Sequence, residues 1–595
     1  MITIGINEGI NSSVAVAENG KILFAIQEER ITRIKNFMGF PHESLDFALK
    51  YLGLSPSDVD SVCFSNLVSP ITSKEAFYAL YDAAEEVDSP GATEGDIKKA
   101  AKKFYDVLPE NVKKFVRERV LNVDPERIML DCLKKHGLQK ARVVRKHHHL
   151  NHAAAVYYGL RKEHDEPYLV MTLDGAGDDA CSHIYIGQGG KLKLIAATPN
   201  GHSIGNIWAH VTHHMGMTPH EHEYKLMGLA AYSKPEYSAK VFEIFKSYLD
   251  LDPANPLVFK SRIPEGSFAV QKHLERDLKR IRFDNIAGGL QSYTEDLLLR
   301  WTKAAIEKTG IRKLLVSGGV FMNVKANALI SRLDEVEYFD VFPSCGDESL
   351  PFGAVWAYYA ESSPDGAKNI RLEDFYLGPD SNYDLQEALK KFEGKLNFYR
   401  LDHPEKATAK LLAMGKIVAR CSGRMEFGAR ALGNRSILAD PSDYTVIPTI
   451  NKMVKKRDFW MPFAPAILRE DAEKYIEVPA SLPEDHVSPY MMITFNTTGR
   501  RDEFVAGTHN YDGTARAQIV LKEMNPRFHE IIAEFSKHTD KAVVLNTSFN
   551  LHGYPIVMGS LDAIDVMLNS AIEYLLLNDY LVTKEPVADI KELDQ

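Results

Sequence analysis

Apolar and polar positions divide the chain into short stretches of period two and longer stretches of period 3.6. The apolar run Ile2 to Asn7, then Ser13 to Val16 and Lys21 to Gln27, read as strands separated by Glu8-Gly9 and by Asn19-Gly20, a two-residue hairpin signal. A β-meander therefore opens the chain. Leu45, Ala48, Leu49 and Leu52 mark one face of a helix that starts after Pro41 and stops near Gly53. From about Lys74 to Arg119 the pattern is polar and mostly helical, a solvated face without visible chemistry. Tyr168 to Leu173, Leu314 to Val316, Gly415 to Arg420 and Ala542 to Leu545 read as further strands. Ala153 to Tyr158 and Ile286 to Glu307 read as helices, the second with Leu290, Tyr293, Leu297, Leu298 and Trp301 turned to a core. Strands and helices mixed in this way predict an α/β chain. The turn-rich Leu377-Gly378-Pro379-Asp380-Ser381-Asn382, after which the patterns restart, sets a boundary between domains 1–376 and 377–595.

Composition narrows the partners more than the fold. With 595 residues, 45% hydrophobic and 26% charged, the chain reads as a globular enzyme of more than one domain, and its net charge of -10 argues against nucleic acid or a membrane surface as a general partner. Small anionic substrates then need local basic pockets. The five cysteines form no C-x-x-C pair, which fits a reducing compartment and buried thiols. No basic leader and no apolar run of membrane-spanning length is visible, so the expected location is cytoplasmic.

Candidate chemistry starts at Lys146-His147-His148-His149-Leu150-Asn151-His152. If the helix of Ala153 to Tyr158 begins at His148, then His148 and His152 lie four residues apart on one face, where two imidazoles can grip a cation; a solvated basic turn is the plain alternative. Three loops follow strand ends: Asp174-Gly175-Ala176-Gly177, Ser317-Gly318-Gly319 with Asn323 beyond, and Gly346-Asp347-Glu348. Such loops leave N–H groups open to phosphate and carboxylates open to a cation, so they suggest a nucleotide in a cleft, although strand-Asp-Gly is also a common turn. His202 and the irregular run His210, His213, His214, His220 and His222 fit a substrate cleft or a surface better than a second metal site. In the second domain, Arg424, Arg430 and Arg435 alternate with Gly423, Gly428 and Gly433, and Lys455, Arg457, Arg516, Asn546 and Ser548 add donors suited to oxyanions.

Together these residues resemble the ATP-dependent carbamoyltransferases of nodulation-factor and antibiotic tailoring. The likeness covers nearly the whole chain, through Gln27-Glu28-Glu29-Arg30 with Arg33, His148-x-x-x-His152, His202-Ser203-Ile204-Gly205, Glu223 to Ala230, Ser317 to Asn323, Gly346-Asp347, Gly423 to Gly428, Arg430 to Pro441, Asp512 to Arg516 and Asn546 to Asn550. It implies an N-terminal actin-like (ASKHA) duplicated α/β domain with ATPase and metal-binding roles, and a C-terminal YrdC-like α/β domain. It also implies that carbamoyl phosphate and ATP give carbamoyl adenylate in the second domain, and that a hydroxyl of a small natural product takes the carbamoyl group in the first. On the same resemblance His148, His152, Asp174 and Asp347 are the metal ligands, for iron or zinc, with magnesium accompanying ATP. Gly175, Gly177, Gly318, Gly319, Asn323, Gly346, Arg435, Arg516 and Asn546 become the nucleotide contacts, and Arg424, Arg430, Lys455, Arg457 and Ser548 the catalytic groups. His149 is open as a nucleotide or acceptor contact, and a homodimer is left open.

Some positions depart from the family pattern. Where the family carries His-Asp after its first strand, this chain has Ile10 and Asn11, neither of them a base. His202 or one of His210 to His222 then becomes the candidate base, or the acceptor is an amine or another nucleophile, or the adenylate enters another condensation, or the final transfer is weak or absent. Met461, Ala429, Glu348-Ser349 and Tyr554 are smaller departures. A nucleotide-binding protein of tRNA modification or of regulation is the reading from another class, against which the acidic net charge weighs.

Overall fold

The structure is a computed structural model and describes residues 1–67, 125–161, 165–455, 458 and 460–595. The expected polar helical stretch and Arg457 lie outside the described residues. The chain forms two compact units: Met1–Leu23 with Asn36–Leu372, and Phe24–Lys35 with Glu373–Gln595.

Unit 1 repeats one sheet plan. The opening meander is β1 (Ile2–Asn7), β2 (Ser13–Glu18) and β3 (Lys21–Gln27), whose first half belongs to this unit; β4 (Val59–Phe64) and β5 (Arg142–Arg145) complete the sheet in the order β3-β2-β1-β4-β5. Asn19 and Gly20 both have positive φ, 49° and 83°, as a two-residue turn between β2 and β3 requires. β1 pairs antiparallel with β2 and parallel with β4, and β4 runs parallel with β5. A second sheet contains β6 (Tyr168–Gly177), β7 (Ala180–Gln188), β8 (Lys191–Pro199), β11 (Lys313–Ser317) and β12 (Tyr338–Val341), in the order β12-β11-β6-β7-β8. Its meander is antiparallel, its last two strands are parallel to β6, and so both its order and its strand directions repeat the first sheet. This is the actin-like duplication. A hairpin of β9 (Leu249–Asp252) and β10 (Asn255–Ser261) stands apart from both sheets.

Two helices occupy the centre of unit 1, His148–Leu160 and Leu350–Ser362, and they pack on each other. Their approach is close enough that glycine is required. A Cβ at Gly353 would fall well inside contact distance of the Asn151 carbonyl oxygen, and one at Gly5 would meet the Pro351 carbonyl oxygen. The long helix Phe283–Thr309 buries Leu290, Tyr293, Leu297, Leu298 and Trp301, as its periodicity predicts.

Unit 2 is built on one mixed eight-stranded sheet of β13 (Asn397–Arg400), β14 (Val418–Cys421), β15 (Arg435–Ala439), β16 (Ala464–Leu468), β17 (Gln518–Val520), β18 (Val543–Ser548), β19 (Tyr574–Leu577) and β20 (Tyr580–Thr583). The order is β13-β20-β19-β14-β15-β18-β16-β17. Phe549, Val557, Ile564, Met567, Leu575 and Leu577 belong to the core on one side of it.

Two local expectations are corrected. The glycine loop after Leu173 is strand: β6 continues through Asp174 to Gly177 with a bulge, and the turn falls at Asp178-Asp179. Bulged backbone keeps its ladder on both sides, so the glycines here serve close packing rather than reversal. The strand expected from Gly415 begins at Val418, because Gly415 takes φ 74° just past the C-terminus of the helix Pro404–Ala413. Among the described residues no helix is long and apolar enough to cross a membrane, and all the cysteines are free thiols, Cys132 alone of the five being only partly buried.

The helix contact at Gly353 predicts a graded result. Gly353→Ala should lower stability by about 1–3 kcal/mol or more, because a methyl must be forced against backbone. Gly201→Ala, where an added Cβ meets nothing, should leave the thermal midpoint nearly unchanged. Differential scanning calorimetry of the two variants decides it, and equal midpoints would contradict the packing described.

Candidate functional site

His148 and His152 open the helix His148–Leu160, and its alanine-rich continuation lets that helix lie buried on nearly every side. Their Nε2 atoms converge with Asp174, on the bulge of β6, and Asp347, in the loop after β12; one donor atom from each of the four lies within 4.8 Å of the others. His152 Nε2 is 3.2 Å from Asp174 Oδ2 and 3.5 Å from Asp347 Oδ1, and His148 Nε2 is 3.6 Å from Asp347 Oδ1. Ligands about 2.0–2.2 Å from a shared tetrahedral ion stand roughly 3.3–3.5 Å apart, so the spacing suits a metal. Both Nε2 atoms and Asp347 Oδ1 are buried and make no hydrogen bond, which leaves them aimed at the common centre.

The groups behind them fix their orientation. His148 Nδ1 meets Asn66 Oδ1 at 3.0 Å and His152 Nδ1 meets Ser317 Oγ at 3.5 Å, while Asp174 accepts N–H bonds from Gly175 at 2.6 Å and Gly319 at 2.8 Å. Asp178 accepts the His148 N–H at 2.8 Å, an acidic cap on the first turn of the helix. Burial pushes the His148 ring down to about 3. It also works against a charged His152, but the two facing carboxylates outweigh it and hold that ring up at about 9. Burial and then the Asp174 charge push Asp347 up to about 7, whereas Asp174, despite burial, is held well below the usual carboxylate range by His152, His148 and the Gly319 N–H.

The glycines singled out in sequence surround this cluster. A Cβ at Gly177 would enter the His148 ring, one at Gly319 would stand 3.1 Å from Asp174 Oδ1, and one at Gly318, with φ 109°, would strike the Leu173 carbonyl. Gly175 is touched in turn by Gly205, and Gly346 lies against the Glu348 carboxylate. Asn323 is committed internally: its Oδ1 caps the helix Val324–Ile330 and its amide group pairs with Gln291. His149 is likewise committed, with Nδ1 on Thr172 and Nε2 on the Ala180 carbonyl, each at 3.0 Å, so the contact expected of it is corrected to a core role.

The remaining histidines separate by environment. His202 Nδ1 accepts the Ser261 N–H and His222 Nδ1 accepts the Thr218 N–H, both at 3.1 Å. His220 has the strained φ of 59° and donates its N–H to Glu223 at 2.6 Å. Burial pushes its ring down to about 4, with the Asp174 charge pulling it back, and burial pushes Glu223 up to about 7.

In unit 2 the arginine and glycine segment is a loop between β14 and β15, organised by a buried carboxylate. Glu426 Oε1 accepts the N–H groups of Leu432, Asn434 and Arg435 at 2.6, 3.2 and 3.1 Å. Arg435 is fully buried and donates to the carbonyls of Met558, Gly423, Asn434 and Pro379, so it stands beneath the loop. Arg424 donates to the Leu377 and Gly378 carbonyls, and Arg430 and Arg516 are half-buried. Lys455, 2% exposed, points its ammonium at the Ser548 carbonyl, at Ser548 Oγ (2.9 Å) and at Asn550 Oδ1 (2.6 Å). Asn546 donates to Gln518 at 2.8 Å and to the Ala431 carbonyl at 3.1 Å. Sequence reasoning missed Asn66, a lone amide past a strand end, and the organising role of Glu426, an acid hidden among arginines.

Two family profiles match the chain. Residues 3–356 match the family profile described as Carbamoyltransferase N-terminus, and residues 409–584 the one described as Carbamoyltransferase C-terminus. Nodulation protein NolNO of Sinorhizobium fredii is 30% identical over 96% of this chain and 79% of that relative. The 3'-hydroxymethylcephem-O-carbamoyltransferase of Amycolatopsis lactamdurans is 31% identical over 40% of this chain and 43% of its own. Among solved structures, the ROK hexokinase from Thermus thermophilus aligns over 61% of this chain and all of its own length, at 12% identity and a TM-score of 0.30. The two profiles, the relative matched over nearly the whole chain and the duplicated sheet plan lead to one conclusion: this chain belongs to the carbamoyltransferase family and is an enzyme of that class.

Proposed function

We propose that the chain is an ATP-dependent carbamoyltransferase that makes carbamoyl adenylate in a YrdC-like unit 2 and passes the carbamoyl group to a hydroxyl of a small natural product in unit 1. The observation that carries this reading is the convergence of His148, His152, Asp174 and Asp347, whose buried unbonded Nε2 and Oδ1 atoms fit a divalent cation. Iron or zinc suits two imidazoles and two carboxylates, and when bound it would supply Lewis acidity to the carbamoyl carbonyl and to the departing phosphate of AMP.

Atom balance orders the steps. Water first releases phosphate from carbamoyl phosphate and leaves carbamate. A carbamate oxygen then attacks the α-phosphorus of ATP, displacing pyrophosphate and giving carbamoyl adenylate. Both substrates are anions, and the residues for holding them are Lys455, whose ammonium donates to oxygens of Ser548 and Asn550, together with Arg424, Arg430, Arg516, Asn546 and Ser548. Finally the acceptor oxygen attacks the carbamoyl carbon and AMP leaves with the bonding pair. The acceptor proton needs a base, and since Ile10 cannot supply one, His202 or one of His210 to His222 is the candidate for that role. The presence of Ile10 also favours a second reading in which the acceptor is an amine, which is nucleophilic without prior loss of a proton.

Three outcomes follow. The protein with ATP, carbamoyl phosphate and magnesium should release pyrophosphate, and Lys455→Met should slow that release by about 10²–10³-fold. Release that is absent, or unchanged in the variant, contradicts the assignment of unit 2. Purified protein should also retain about one equivalent of iron or zinc by plasma mass spectrometry, which His152→Ala abolishes while pyrophosphate release persists. Asn66→Ala should weaken metal affinity by about 10–100-fold, because it frees the His148 ring to turn; a variant that binds metal as tightly as the parent removes Asn66 from the site.

A further inference from the structure

The motif Gln27-Glu28-Glu29-Arg30 with Arg33 lies in the N-terminal region of the sequence but folds as part of unit 2. Arg30 is 2% exposed. Its Nη2 donates to the Gly428 carbonyl at 2.6 Å and to Gln27 Oε1 at 3.1 Å, and its Nη1 pairs with Glu29 at 2.8 Å. Arg33 ends the short helix Glu29–Thr32 in the left-handed region, φ 60°. It donates from Nη1 to the Ile556 carbonyl at 2.8 Å and from Nη2 to the Pro555 carbonyl at 2.9 Å, and faces Asp562 at 3.4 Å.

Those carbonyls belong to the two arms of the proposed anion site. Gly428, with φ 92°, lies between Arg424 and Arg430. Pro555 and Ile556 follow Tyr554, whose carbonyl accepts Asn550 Nδ2 at 2.7 Å, while Asn550 Oδ1 accepts from Lys455. We infer that Arg30 and Arg33 are positioning residues that clamp the arginine arm and the lysine arm of this site at a fixed separation, each acting through a backbone carbonyl. The forked guanidinium suits this work, since it can hold several acceptors rigidly. Neighbouring positions use the same device: Arg435 binds the Gly423 carbonyl and Arg420 the Gly433 carbonyl. By this inference the adenylate-forming unit is incomplete without residues 24–35, although they fall within the stretch matched as the carbamoyltransferase N-terminus.

The inference rests on the adenylate-forming reading of unit 2, and the full-length protein tests the two separately. In Arg30→Met and Arg33→Met, pyrophosphate formation should lose about tenfold to a hundredfold in kcat with little change in the KM for ATP, because misplacement hurts the displacement more than binding. Arg30→Lys, which keeps the charge and loses the fork, should recover only part. Hydrogen–deuterium exchange gives the local readout: Arg30→Met should deprotect the segment around Gly428, and Arg33→Met the segment around Ile556. If kcat stays within twofold, or exchange at those segments is unchanged, the clamp is overturned. Should the parent protein release no pyrophosphate, the adenylate reading fails while the exchange data still decide the clamp. Should a methionine variant fail to fold, Arg30→Lys and Arg33→Lys carry the same comparison.

Discussion

Asp174 and Asp347 are brought together with two imidazoles below the surface of unit 1, and like charges at that distance repel strongly in a poorly polarisable interior. The protein relieves the repulsion unevenly. Asp174 receives two backbone N–H groups and keeps its charge, whereas Asp347 is pushed up towards neutrality. The two carboxylates facing His152 pull its ring upward against burial, which marks where positive charge is wanted. A divalent cation meets that demand better than one proton, since it neutralises both carboxylates and releases both Nε2 lone pairs for bonding. Much of unit 1 serves this constraint. The bulge of β6 carries Asp174, Gly177 lets β6 lie against the His148 ring, and Gly353 lets the helix Leu350–Ser362 hold the histidine helix at Asn151.

The sequence was most legible where periodicity and turn chemistry agree locally. Asn19-Gly20, the Gly53 stop and the core face of Phe283–Thr309 came out as read, and so did the i, i+4 placement of His148 and His152. Glycine was harder to read. In Asp174 to Gly177 it suggested a phosphate loop, but a glycine also permits two pieces of backbone to touch, and only the tertiary fold shows which use applies. Asn66 illustrates a further limit. It supports His148 from more than 80 residues away in sequence, through a contact that no local pattern encodes. The membership of Phe24–Lys35 was hidden for the same reason, since β3 looks like one uniform strand although its two halves belong to different units.

Arginine threaded among glycines in the β14–β15 loop read as an oxyanion site, and the fold shows a second cause for the same composition. Gly423, Gly428 and Gly433 have positive φ of 69°, 92° and 111°, a backbone open to glycine and strained for other residues, and in this loop their carbonyls turn toward the interior. A buried carbonyl needs a donor. Each of the three receives one from a guanidinium: Gly423 from Arg435, Gly428 from Arg30 and Gly433 from Arg420. The complementary problem, inward N–H groups, is met by Glu426, which gathers three of them. The loop is thus cross-linked by charge-assisted hydrogen bonds at nearly every turn, and its shape is set before any ligand arrives. Such rigidity would suit the proposed joining of two anions, because donors already in place need not reorganise as charge develops. The arginines of this cluster therefore divide by environment: Arg420 and Arg435, fully buried, build the cradle, whereas Arg424 and Arg430 are only half-buried.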